Sequence, residues 1–219
     1  VVPSRLEDYQ ALLVLDDLYQ SQGSLSQLSN NQFYLSEADY NAISTPLLRN
    51  AIVWAERIYE GATYGDWEAQ YKMISVSNVC LEGLRAITRV ASNQLAYDQV
   101  KGTAHFFRGF GYFNLLQLFA KTYDPATAST DLGVPLRLES DINVRPGRSS
   151  VKACYDQVLS DLQAAIALLP SQSDFQIRPT KKAAKAILAK LYQLQENWTL
   201  AAQLSQEVIQ EFPTLLDFN

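Results

Sequence analysis

A chain of 219 residues with 47% apolar side chains can bury a core without disulfides or metal. One His and two distant Cys exclude most zinc sites, which need about four N or S ligands, and a net charge of −5 lacks the basic field of a nucleic-acid binder. Nine Gly and eight Pro, about 8% of the chain against a usual ~12%, argue against an all-β sandwich built on tight turns.

Hydrophobic spacing of three and four residues recurs along most of the chain, so the reading is all-α with about seven helices. Tyr9–Tyr19 is amphipathic, and the polar stretch Gln20–Gln32 reads as loop. Leu47, Ala51, Trp54, Ala55 and Ile58 predict a helix ended by Gly61. Trp67, Tyr71, Ile74, Asn78 and Leu81 predict the next, running to about Val90. The segment Tyr97–Phe119 is apolar nearly all round, which suits the middle of a bundle. Its Gly109 and Gly111 cost roughly 1 kcal/mol each in helix propensity, an expense that close approach of neighbouring helices would offset.

Ala120–Arg148 reads as one long connection, a length at which loops tend to be functional. Ser150 then caps a helix carrying Val151, Tyr155, Val158, Leu162, Ile166 and Leu169, stopped by Pro170. Thr180 caps another, with Ala184, Ile187, Leu188, Leu191 and Leu194 inward. A Glu196–Asn197 turn leads to Ala201, Leu204, Val208 and Phe212 before Pro213. Ile166–Leu169–Pro170 and Ile209–Phe212–Pro213 share one spacing. The last hairpin places Leu188, Ala189, Tyr192, Ala201 and Pro213 at tetratricopeptide offsets, with Ser205 departing from them. One such hairpin cannot bury its own face, so it must stack on the preceding helix pair.

The run His105-Phe-Phe-Arg-Gly-Phe-Gly-Tyr-Phe-Asn-Leu-Leu-Gln-Leu-Phe119 resembles the signature helix of SusD/RagB-like outer-membrane nutrient-binding lipoproteins. Gly133-Val-Pro-Leu136, Arg148-Ser-Ser-Val-Lys-Ala-Cys-Tyr-Asp-Gln-Val158 and Arg178-Pro-Thr-Lys-Lys-Ala-Ala184 follow in the family's order. Leu6-Glu-Asp-Tyr-Gln-Ala-Leu-Leu13 and the Trp67…Tyr71…Ile74…Asn78 spacing also look like that family, while Gly109 and Cys154 depart from its usual residues.

The resemblance implies a cell-surface subunit that captures oligosaccharide and works with a TonB-dependent, SusC-like transporter in a Gram-negative outer membrane. A peptide-capturing subunit, or a helical-repeat scaffold without nutrient ligand, are the alternatives. Family members run to roughly twice this length, so the resemblance also implies an N-terminal portion. It would comprise helices and loops over 1–96 and hairpins over 97–219 with an inserted loop 120–148, the lipid anchor and the C-terminal half lying outside the sequence. The absence of an initiator Met fits a processed or trimmed chain.

No residue pattern points to catalysis, a cofactor or a metal. The closest carboxylates, Asp16-Asp17, Glu37 with Asp39 and Asp66 with Glu68, lack a catalytic scaffold. His105 beside two Phe reads as structural, Arg108 as a residue ordering a loop or an acid, and Asn78 as a buried amide tying down a loop backbone. Lys181, Lys182 and Lys185 read as a solvated face, and Cys80 and Cys154 as buried free thiols. Trp54, Trp67 and Trp198 fall on core or helix-start positions. Tyr59, Tyr64 and Asp66, around the Gly61–Gly65 loop, therefore remain as the candidates for ligand contact.

Overall fold

The computed structural model describes residues 3–14, 18, 25, 34–61, 65–175 and 177–213. Among them run helices α1 (Leu6–Leu12), α2 (Glu37–Ala42), α3 (Pro46–Ile52), α4 (Gly65–Gly83), α5 (Gln94–Phe119), α6 (Val151–Leu168), α7 (Lys181–Leu194) and α8 (Trp198–Glu211). Strands β1 (Leu132–Pro135) and β2 (Arg148–Ser150) form an antiparallel ribbon between α5 and α6. The fold is predominantly helical. No helix among the described residues is long and apolar enough to cross a membrane.

Helix α5 is the hub. It packs on α4 along one side and on α6 along another, after which α6, α7 and α8 pack in series as helix hairpins. Its two glycines explain how it fits between neighbours. Two residues turn a helix by about 200°, so Gly109 and Gly111 face opposite sides. A Cβ on Gly111 would lie 3.0 Å from Ile74 of α4, and one on Gly109 would lie 3.1 Å from Asp161 of α6. The expected close approach is therefore present on both sides. Gly111→Leu is expected to cost about 1–3 kcal/mol by overpacking, despite a propensity gain of up to about 1 kcal/mol. Urea unfolding checks this, and an unchanged midpoint would mean that the α4–α5 contact yields.

Capping follows the sequence reading. The Ser150 hydroxyl accepts the Ala153 N–H at 3.1 Å, and the Thr180 hydroxyl accepts the Ala183 N–H at 3.4 Å. Helix α6 stops before Pro170, whose carbonyl accepts the first N–H of α7 at 2.9 Å. Both cysteines are buried and free, and burial pushes the Cys80 thiol up to about 12.

Four expectations are corrected. The stripe from Leu47 does not run to Gly61. Helix α3 ends at Ile52, because the Ala55 N–H reaches back to the Asn50 carbonyl at 2.9 Å and the Trp54 N–H to Ala51 at 3.3 Å. That pair of bonds is a Schellman stop with Trp54 in the left-handed position at φ 55°, leaving its ring 71% exposed rather than in the core. Residues 120–148 are not a plain connection, although the fold around them is predominantly helical as expected. The β1–β2 ribbon forms there, and Arg148 donates to the carbonyls of Gly133, Leu132 and Phe119 at 2.6, 2.9 and 3.2 Å.

Trp198 is the third correction. It lies 61% exposed as the first residue of α8, beyond the end of an inner stripe made by Ala201, Leu204 and Val208. The Glu196–Asn197 turn is formed as expected, with Glu196 at φ 61°. The fourth concerns Lys185, which is not solvated with Lys181 and Lys182 but bridges Glu207 and Glu211 of α8 at 3.0 and 2.8 Å. The Tyr9–Tyr19 segment is helical over Leu6–Leu12, and Gln20–Gln32 lies outside the described residues except for Leu25.

Candidate functional site

His105 and Arg108 of α5 serve one buried acid. Asp161 of α6 is 1% exposed, and its two oxygens receive four donors. His105 Nδ1 and Arg108 Nη2 reach Oδ1 at 2.8 and 2.7 Å, while Arg108 Nε and Gln157 Nε2 reach Oδ2, each at 2.9 Å. A carboxylate has about four lone-pair sites, so this one is saturated. Burial pushes its pKa up, but the bonds from His105, Arg108 and Gln157 with the guanidinium charge outweigh that, and the carboxyl sits below its ordinary value. An ionised carboxylate only accepts, so the His105 proton is on Nδ1. The structural reading of His105 and the acid-ordering reading of Arg108 are both met here.

The remaining guanidinium nitrogen, Arg108 Nη1, donates to Asn78 Oδ1 at 3.0 Å. Asn78 then spends its amide N–H groups on the carbonyls of Arg137 and Glu139 at 2.9 and 3.1 Å. This is the loop tie its place on an apolar stripe implied. Three more side chains hold the same segment. The Tyr112 hydroxyl donates to the Arg137 carbonyl and accepts the Arg137 N–H, both at 2.7 Å. Tyr71 donates to the Pro135 carbonyl at 2.8 Å. Glu82 accepts the Ser140 N–H at 2.9 Å and the Ser140 hydroxyl, bonds that lower its pKa. Burial raises the pKa of both tyrosines, so their hydroxyls keep their protons for these bonds. Helices α4 and α5 thus fix the backbone of residues 135–140 from below.

On the outer side of that fixed segment lies an open cleft of about 460 Å³. The start of α4 forms one wall through Trp67, Glu68, Tyr71 and Lys72, and the loop forms the other through Pro135, Arg137, Val144, Arg145 and Pro146. Trp67 packs 4.8 Å from the Tyr71 ring and edge-on to Phe119 at 5.0 Å. Tyr59 stacks on the same Phe119 at 6.2 Å, which brings one sequence candidate into the aromatic cluster behind the cleft. Asp66 faces inward at 4% exposure and accepts the Leu25 N–H at 3.4 Å; burial raises its pKa. Tyr64 lies outside the described residues, as do Asp16 and Asp17.

Asp39 accepts from its helix-capping neighbour Ser36 at 2.6 Å, an ordinary cap. No group of three or more His, Cys, Asp or Glu residues that could hold a metal gathers among the described residues. The cleft offers flat aromatic carbon beside guanidinium donors, a combination suited to holding a polar ligand rather than transforming one. Sequence reading missed Arg137 and Arg145. Their one signal was two arginines beside Pro135 and Pro146 in a long connection.

Comparison with known proteins agrees with the architecture. Residues 4–193 match the SusD-like family described as "Starch-binding associating with outer membrane". A SusD-like protein P2 from Formosa agariphila is 27% identical over 143 residues, covering 65% of this chain and 26% of the relative. A SusD superfamily protein from Bacteroides thetaiotaomicron superposes with a TM-score of 0.74 at 23% identity, covering 97% of this chain and 48% of that one. A SusD-like carbohydrate binding protein from Bacteroides vulgatus gives 0.71 at 17% identity, covering 99% and 47%. The chain thus spans about half the length of these solved structures and matches about a quarter of the curated relative.

Proposed function

The chain belongs to the SusD-like family, and on that premise we propose that it is the ligand-capturing part of a cell-surface subunit that binds oligosaccharide and passes it to a SusC-like, TonB-dependent transporter. The family is one of binding proteins, in keeping with the reading of the chain as non-catalytic. Its place is the outer membrane of a Bacteroidetes bacterium, held there by an N-terminal lipid. The hairpin α7–α8, with its tetratricopeptide offsets, and the α5–α6 pair on which it stacks offer the surface that a transporter would meet.

The observation that carries the ligand reading is the cleft. A pyranose presents a flat C–H face that packs on an aromatic ring, and its hydroxyls need hydrogen-bond donors and acceptors at the rim. Trp67 and Tyr71 supply rings, while Arg137, Arg145 and Glu68 supply donors and an acceptor. Tyr59 backs the cleft through Phe119, Asp66 acts through the Leu25 backbone it holds, and Tyr64 is kept as a ligand candidate on its place in the sequence alone.

Calorimetry with a panel of oligosaccharides and peptides tests this on the full-length protein beside the 219-residue chain. Trp67→Ala is expected to weaken glycan binding about 10- to 100-fold, the usual loss when a buried aromatic anchor is removed. Preference for peptides would replace the glycan reading with the peptide one. Unchanged glycan affinity in Tyr64→Ala would discard Tyr64 as a ligand contact.

A further inference from the structure

Resting on the reading of the cleft as a sugar site, we propose that it selects an anionic sugar, one whose ring carries a carboxylate or sulfate directed at Arg137 and Arg145. The local charge is the first ground. The chain as a whole carries −5, yet the cleft walls hold Lys72, Arg137 and Arg145 against Glu68 as the one acid. Glu68 and Lys72 stand four residues apart on α4, where opposite charges offset each other. The two arginines of the facing wall are left as the uncompensated charge.

The pairing of other cations in the molecule sharpens the point. Arg89, Arg108, Lys121, Lys152 and Lys185 each bridge a carboxylate. Neither Arg137 nor Arg145 has an acidic side chain within ion-pair distance among the described residues. Arg137 instead donates Nη2 to the Asp141 carbonyl at 2.9 Å, which orients its guanidinium without neutralising it. A planar guanidinium with free N–H groups matches the oxygens of a carboxylate or sulfate two at a time, a fit a neutral hydroxyl lacks.

Preorganisation is the second ground. Pro135, Arg137, Glu139 and Ser140 are bonded from below by Tyr71, Tyr112, Asn78 and Glu82. The backbone that carries Arg137 is thus ordered before any ligand arrives, so the cost of fixing it does not fall on binding. Four side chains spent on a loop whose Leu138, Ile142 and Val144 stay exposed make sense when the loop must present its charges at a set distance from the Trp67 ring.

The test measures binding of a neutral oligosaccharide, an oligogalacturonate and a sulfated oligosaccharide of equal length, with a polyglutamate peptide as control. Titrations at about 50 mM and about 500 mM salt separate charge from stacking, because the screening length shrinks about threefold between them. The expected result is affinity about 10-fold or more higher for at least one acidic sugar than for the neutral one, falling with salt. Arg145→Gln should then reduce acidic-sugar affinity about 10-fold, and more than it reduces neutral-sugar affinity.

The two acidic arms decide between carboxylate and sulfate. Equal binding of neutral and acidic sugars, or indifference to Arg145→Gln, overturns the anionic inference while leaving glycan capture intact. Polyglutamate binding as tightly as the acidic sugars overturns the sugar part of it. Failure of every sugar to bind overturns the reading on which the inference rests.

Discussion

Asp161→Ala is expected to lower the unfolding free energy by about 3–5 kcal/mol, the loss typical of removing one partner of a buried ion pair. The reason is the state in which it leaves its neighbours. Arg108, with its side chain 11% exposed, would keep its charge while losing both bonds to Asp161, and His105 and Gln157 would each lose a partner. At about 2–4 °C per kcal/mol for a chain of this size, the melting midpoint should fall by about 6–20 °C. Asp161→Asn keeps the volume but turns an N–H donor toward a guanidinium, so it should recover little.

A double replacement by apolar residues, Asp161→Leu with Arg108→Met, should cost less than the sum of the two single changes, because neither partner is left charged alone. A loss below about 1 kcal/mol in Asp161→Ala would show that the acid is not the hub of the network.

The same site sets a pH dependence with a definite sign. The folded-state pKa of Asp161 is lowered, so its contribution is fully present above the unfolded carboxyl value of about 3.9. It is lost as pH falls through the depressed folded value. Stability profiles of the wild type and Asp161→Asn should therefore run parallel at neutral pH and converge below about pH 4.

How legible the molecule was depended on whether a feature is local or shared between distant segments. Helices α5, α6 and α7 could be read because packed helices repeat apolar residues at 3.6-residue spacing, and Ser150 and Thr180 mark the starts of α6 and α7 with hydroxyls. The end of α3 could not, because Trp54 fits the apolar stripe but stands where a Schellman stop needs left-handed backbone, a position usually given to glycine. The ribbon escaped because strands of three and four residues are too short to show alternation.

The site divides the same way. Asn78 and Arg108 were recognisable as polar residues needing partners, but the partner of Arg108 lies 53 residues away on α6. The cleft joins the start of α4 to a loop about 70 residues later, and nothing in either segment announces the other. Burial of Asp66 shows the converse limit. An acid beside a glycine-flanked loop reads as exposed until the chain around Leu25 folds over it.

Asn78→Leu gives the second large effect, and it connects the buried network to the cleft. Leucine shares the branching of asparagine but its methyl groups are bulkier, so some overpacking between α4 and α5 adds to the loss. What is lost is the bond from Arg108 and the two bonds to the Arg137 and Glu139 carbonyls. Unpaired buried groups cost about 1–3 kcal/mol each, but Glu139 lies exposed and its carbonyl can turn to water, while the Arg137 carbonyl keeps Tyr112. The net expectation is therefore about 2–3 kcal/mol, less than for Asp161→Ala.

The distinguishing consequence is local. With its central tie gone, the 136–147 segment should exchange its amide hydrogens faster, whereas α6 and α7 should keep their protection. Oligosaccharide affinity should fall although Asn78 does not line the cleft, because the wall bearing Arg137 would have to be ordered on binding. Hydrogen exchange and calorimetry on one variant thus separate two roles. Lost stability with intact affinity would make Asn78 a core residue only, and loss of both would make the buried amide the strut of the binding wall.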